Sequence, residues 1–98
     1  DAIGFIRKNL SASLKVSEVA DAVFCSRDSL LDRFKSEMGI SVSKYIEDLL
    51  MFEASHVLMV DKKTVGEVST ELGYCDQFYF SRRFTKHFSI SPKDYKKL

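Results

Sequence analysis

Histidine and cysteine are scarce in this 98-residue chain. His56 and His87 are the only histidines and Cys25 and Cys75 the only cysteines, and none stands with another ligand at metal-binding spacing. Asp76 and His87 are eleven residues apart on what reads as one helix, too far for an acid–base dyad. No glycine-rich phosphate loop and no Gly-x-Ser-x-Gly turn occurs. Catalytic residues, metal and cofactor are therefore not expected. The chain is better equipped for hydrogen bonding to planar polar edges. Gln77, Ser81 and Arg82, with Phe78 beside them, stand on the early turns of one segment. An arginine fork matches O6 and N7 of guanine, a carboxamide matches N6 and N7 of adenine, and an aromatic ring can meet a thymine methyl.

Those side chains need a scaffold, and the composition allows one. The length suits a single domain, and 45% hydrophobic residues, with eight Phe and four Tyr, suffice for a modest core. Four Gly and one Pro mean few turns, which favours helix. No apolar run approaches a membrane span, and Asp1-Ala2-Ile3-Gly4-Phe5 has no basic start of the kind that opens a signal peptide. Two cysteines fifty residues apart read as free thiols in a reducing compartment, hence a cytoplasmic protein, with both as small hydrophobes. The formal net charge is only +1, so charge alone does not announce nucleic acid. Its distribution says more. Arg82, Arg83, Lys86, Lys93, Lys96 and Lys97 face a single acid, Asp94, over residues 82–98, whereas Glu47, Asp48 and Glu53 make the middle acidic.

The chain is an internal repeat. Between Arg33–Tyr45 and Arg83–Tyr95, five of thirteen pairs are identical at an offset of fifty. Upstream the offset is forty-nine (Val16 with Val65, Glu18 with Glu67, Val19 with Val68), so the second copy holds one inserted residue. Each copy predicts a short helix, a tight turn and a second helix. In copy one, Val16, Val19, Ala20 and Val23 mark the short helix and Phe24-Cys25 the turn. Ser26 is the cap, and Leu30, Phe34 and Met38 form the buried stripe of the second helix, closed at Gly39. In copy two, Thr64 to Glu67 is a capping box ahead of Val65, Val68 and Leu72, with Gly73 as the stop. Asp76 caps the helix that carries Phe80, Phe84 and Phe88. Ser41 and Ser91 cap the next segments, with Pro92 at the first helical position. A linker helix over 42–60, of about five turns, joins the copies and is expected to bury Val42, Tyr45, Ile46, Leu49 and Phe52. A helix over Ala2–Lys8 adds Ile3, Phe5 and Ile6. The expected fold is all-α, with seven helices and no strand. It is one domain divided as 1–41, 42–60 and 61–98.

A bracing helix, a turn and a second helix is the helix-turn-helix plan, in which the second helix enters the major groove of double-stranded DNA. Two such helices reading one face of B-DNA stand roughly 34 Å apart. A linker of about eighteen residues spans about 27 Å, which is compatible. The rival reading is a helical protein-interaction module, with the acidic linker meeting polymerase or a sensor domain.

The sequence resembles the DNA-binding domain of the AraC/XylS family of bacterial transcription regulators over nearly its whole length. Copy two carries the strongest match: Gly73-Tyr74-x-Asp76-x-x-Tyr79-Phe80-Ser81-Arg82-x-Phe84-x-Lys86, then Ile90-Ser91-Pro92-x-x-Tyr95-Lys96. Copy one matches at Val19-Ala20, Ser26, Leu30, Phe34-Lys35, Gly39-Ile40-Ser41 and Tyr45, then Leu49 and Ala54 in the linker. The resemblance implies two recognition helices in adjacent major-groove segments. It also implies a larger parent, in which an N-terminal domain senses a small molecule, dimerises or receives a phosphoryl group, with RNA polymerase as a further partner. It makes Gln77, Phe78, Ser81 and Arg82 the base readers of copy two. Arg82 is the leading one, with phosphate contact or a surface ion pair as its alternative. The copy-one counterparts are Asp28, Leu31 and Asp32, flanked by Arg27 and Arg33. Here a carboxylate can accept from cytosine N4, but two acids sit badly near phosphates. Leu50 departs from a usual arginine, Ser89 from a glycine and Thr85 from a lysine. Phosphate contacts are expected from Arg27, Lys35, Lys63, Arg83, Lys86 and Lys93, and from helix starts at Thr64 and Ser91.

Overall fold

The computed structural model describes residues 1–98 and is all-helical, with seven α-helices and no strand. The chain packs as two compact units, 1–49 and 50–98, each holding one helix-turn-helix.

In the first unit, α1 (Ala2–Lys8) starts at Asp1, whose Oδ1 accepts the Gly4 N–H at 2.7 Å. α2 (Val16–Ala22) starts at Lys15, whose N–H donates to Glu18 at 2.9 Å. Lysine has no acceptor to return that bond, so this cap is one-sided. α3 (Arg27–Met38) is capped by Ser26 Oγ, which accepts the Ser29 N–H at 3.1 Å. α4 (Val42–His56) follows Ser41, whose Oγ accepts the Lys44 N–H at 3.1 Å. Ile6, Val19, Leu30, Phe34 and Ile46 close the core. The Phe34 ring meets Tyr45 edge-on at 5.5 Å, and the Tyr45 hydroxyl accepts from Arg7 Nε at 3.3 Å, tying α1 and α3 to α4.

The second unit repeats the plan with one change. Its part of α4 runs on into a π-helical turn, Val57–Asp61, which ends at left-handed Lys62. The linker therefore has the expected extent but not one helical form. Val57 and Leu58 are both buried in the π turn, which packs on two later helices, α5 (Val65–Glu71) and α7 (Pro92–Tyr95). The predicted capping box is present. Thr64 Oγ1 accepts the Glu67 N–H at 3.1 Å, and Glu67 accepts the Thr64 N–H at 2.9 Å. α6 (Gln77–Phe88) is capped by Asp76, and α7 by Ser91 with Pro92 in its first turn. Phe84 is fully buried among Phe80 at 5.9 Å, Phe88 at 4.6 Å and Tyr95 at 5.4 Å. The Phe84–Tyr95 pair is again edge-on, the counterpart of Phe34–Tyr45.

Both short helices end in the same hydrogen-bonded reversal. Phe24 N–H donates to Asp21 O and Cys25 N–H to Ala20 O; Gly73 N–H donates to Thr70 O and Tyr74 N–H to Ser69 O. The pivot must be left-handed, and it is Gly73 (φ 89°) in one copy but Phe24 (φ 57°) in the other. The end of each recognition helix needs a second left-handed residue, Gly39 (φ 79°) in copy one and Ser89 (φ 62°) in copy two. Each copy thus has glycine at one of its two left-handed positions and a side chain at the other. The inserted residue of copy two is Cys75, between the reversal and the Asp76 cap, so Cys25 corresponds in the turn to Tyr74.

Two core assignments are corrected. Phe52 is 71% exposed, and α4 buries Val42, Ile46, Leu50, Met51 and Ala54. Steps of four residues rotate the buried face by about 40° each, so by mid-helix it has turned away from Phe52, roughly 200° round from Leu50. Leu50, at a usual arginine position, is accordingly apolar and buried. Met38, the third member of the α3 stripe, is exposed, whereas its counterpart Phe88 is half-buried against Phe84 and Tyr95.

Phe84→Ala is expected to cost about 3–5 kcal/mol in denaturant unfolding, while Phe52→Ser stays within about 0.5 kcal/mol. Phe24 is 97% exposed, so its ring repays little of the left-handed strain. Phe24→Gly and Ser89→Gly are each expected to raise stability, by up to about 1 kcal/mol after the added freedom of the unfolded chain. Their gains should be additive because the two sites lie in different units.

Candidate nucleic-acid interface

α6 has one sealed face and one open face. Phe80 and Phe84 point into the core, which fixes the rotation of the helix about its axis. Gln77, Phe78, Arg82, Thr85 and Lys86 are exposed and Ser81 is half-buried; Phe78, Ser81 and Arg82 lie on the outward side, while Gln77, at the helix start, is exposed with its carboxamide turned toward α5. Ser81, Arg82, Thr85 and Lys86 line a shallow open groove along it. Asp76 holds the helix start, its carboxylate accepting the Phe78 N–H at 2.7 Å. Thr85 Oγ1 donates to Ser81 O at 2.8 Å, so its hydroxyl is directed at the helix backbone.

Arg82 is held by a residue the sequence reading passed over. Its guanidinium lies 5.8 Å from the centroid of the Tyr79 ring. Tyr79 in turn meets Tyr74, with ring centroids 6.1 Å apart, so the ring beneath the guanidinium is itself in contact with the turn. The signal was present in the sequence as an aromatic three residues before the arginine, a spacing at which helical side chains meet.

The open face of α3 is chemically different. Asp28 and Asp32 are exposed, Leu31 is half-buried, and Arg27, Arg33 and Lys35 are exposed around them. The two acids stand four residues apart on one side of the helix. The predicted phosphate residues are dispersed. Lys86 and Lys93 are exposed and Arg83 is half-buried. Lys63 pairs with Glu71 at 2.7 Å, and that bond holds its ammonium above the ordinary lysine value. The Thr64 amide and hydroxyl are engaged in the capping box, and the Ser91 hydroxyl accepts the Asp94 N–H at 3.1 Å. At those two starts the donors left for an anion are the amides just beyond the caps.

A helix-turn-helix family profile matches residues 19–98. The lactose operon transcription activator of Staphylococcus xylosus is 35% identical over 97% of the chain, which covers 34% of that relative. The xylose operon regulatory protein of Escherichia coli K12 is 33% identical over 97% of the chain, which covers 24% of it. The chain belongs to the AraC/XylS-type helix-turn-helix family. The chain thus spans about a third or less of the curated relatives it matches. The C-terminal domain of AraT, a response regulator from Geobacillus stearothermophilus, superposes with a TM-score of 0.93 at 29% identity, over 98% of this chain and 80% of that one. The DNA-binding domain of AdpA, solved in complex with a target DNA, has the same fold with a TM-score of 0.90 at 20% identity, over 98% and 86%. As a member of this family the domain is a DNA-binding unit of transcription regulation, not an enzyme. No helix in it is long and apolar enough to cross a membrane.

The helix start that braces α6 carries a pH dependence of known sign. The Glu67 carboxyl is held below the ordinary glutamate value, first by the Thr64 backbone N–H that it accepts. Its contribution is present at neutral pH and lost as pH falls through the carboxylate range, because the unfolded state binds the proton more readily. Thermal melts from pH 7 down to about 3 are expected to show an acid slope that Glu67→Gln reduces. Thr64→Ala is expected to cost about 1 kcal/mol at neutral pH.

Proposed function

We propose that α6 is the principal reader of base edges and α3 a secondary one, the two entering adjacent major-groove segments of one operator half-site. The observation that carries the assignment is the open face of α6. There Arg82, seated over Tyr79, projects beside Gln77, Phe78 and Ser81 from a helix whose rotation Phe80 and Phe84 hold. A pre-positioned arginine fork suits guanine, and the carboxamide of Gln77 suits adenine. On α3, Asp28 and Asp32 restrict direct contact to a donor such as cytosine N4, and Leu31 adds apolar contact. Arg27, Lys35, Arg83, Lys86 and Lys93, with Lys63 and the helix starts at Thr64 and Ser91, supply the contacts to phosphate.

The chain acts as one reading head within a longer cytoplasmic regulator. Its other part, by analogy with the relatives' length, holds a sensor, dimerisation or receiver domain, and the complete regulator meets RNA polymerase. The acidic stretch Glu47, Asp48 and Glu53 on α4 suits a protein partner better than DNA, so both kinds of binding coexist on one domain.

Selection from a random duplex pool tests the reading. Wild type is expected to enrich one motif, and Arg82→Ala to relax one position in it, losing about 1–3 kcal/mol of discrimination there. Lys86→Ala is expected to weaken all sequences alike and to flatten the log–log salt dependence by about 1, from a slope near −5 to −6. Salt-insensitive binding, or no binding at low salt, would overturn the proposal in favour of a protein-interaction module.

A further inference from the structure

Gln77 is the first residue of α6, and its side chain does not project freely from it. The carboxamide leans back across the helix-turn-helix onto α5, at the rim of an open groove that Gly66, Thr70 and Tyr74 also line. It lies directly over Gly66. A Cβ at position 66 would stand 2.8 Å from Gln77 Oε1, closer than such atoms approach, with the Gln77 Cδ at an ordinary 3.9 Å and nothing else from outside its own stretch of helix within 4 Å. Gly66 is the second residue of the seven-residue α5, and its backbone is not left-handed. Glycine is unfavourable at such a place compared with alanine. Copy one has Ser17 at the corresponding position and Arg27 in place of Gln77, so the glycine and the glutamine occur together in the copy with the better-equipped reader.

We propose that Gly66 is a positioning residue that sets specificity: by lacking a side chain it leaves the space in which the Gln77 carboxamide rests, and so decides how that amide is presented to the base it meets. This rests on the assignment of Gln77 as a base reader. A side chain at 66 closes the resting place. Because the obstructed atom is the end of a flexible side chain, the carboxamide swings away at little cost to the fold. A glutamine amide reads adenine only when its oxygen and nitrogen face N6 and N7 together. A change in its resting direction therefore changes the base preference at one position and leaves the rest of the motif intact.

A double-mutant cycle on the 98-residue chain decides the matter. Wild type, Gly66→Ala, Gln77→Ala and the double variant are each put through duplex selection and then anisotropy titration on the enriched site and its single-base variants, with thermal melts confirming folding. Gly66→Ala is expected to fold at least as well as wild type. It is expected to alter base preference by about threefold or more at the same position that Gln77→Ala relaxes, and to have no effect when Gln77 is already alanine. If Gln77→Ala relaxes a position and Gly66→Ala leaves that position unchanged, Gly66 does not position Gln77 and the proposal fails while the reading of bases by Gln77 stands. An equal effect of Gly66→Ala with and without Gln77 also overturns it, since Gly66 then acts by another route. If Gln77→Ala leaves the motif unaltered, it is the assignment of Gln77 as a reader that has failed, and the positioning proposal falls with it.

Discussion

In each unit, the position of the recognition helix depends on one aromatic contact, the edge-on meeting of Phe34 with Tyr45 and of Phe84 with Tyr95. The phenylalanine comes from the core face of the recognition helix and the tyrosine from the helix that follows it. A short helix-turn-helix has too little surface to bury by itself, so the next helix must be recruited, and an aromatic pair holds it by area and by edge-to-face geometry together. In the second unit the contact grows into a cluster with Phe80 and Phe88. That cluster sets the rotation of α6, and with it which residues are left on the open face.

The two copies spend their side chains differently on the same frame. Both require two left-handed residues, one in the turn and one past the recognition helix, and each places glycine at one of them. Both present an open face on a twelve-residue helix. One face offers Gln77, Ser81 and Arg82, which match base edges, and the other Asp28, Leu31 and Asp32, which match few. A duplicated frame with unequal faces suits a domain in which one helix carries most of the specificity and the other secures orientation.

Much of this was legible from sequence because it is local. The caps at Ser26, Thr64, Asp76 and Ser91 bond within three residues of themselves, so residue type and spacing suffice to find them. The repeat located the recognition helices, since a stripe of apolar residues every four positions reports the buried side of a helix. The Phe24 reversal was legible as a turn but not as a strained one, because its left-handed pivot appears only when the hydrogen bonds are drawn.

Residue types and their spacing suffice for the number of helices, their order, most of their ends and the chemical character of each recognition face. Those features follow from hydrogen bonds and apolar periodicity over a few residues. Long-range packing was needed to show that Phe52 faces solvent while Leu50 is buried, that the linker ends in a π turn, and that Lys63 is paired with Glu71. It alone placed Arg82 over Tyr79 and the Gln77 carboxamide over Gly66. The reason is physical: periodicity tells which side of a helix is apolar, but a side chain's final direction is set by whatever neighbour, distant in sequence, occupies or leaves the space beside it.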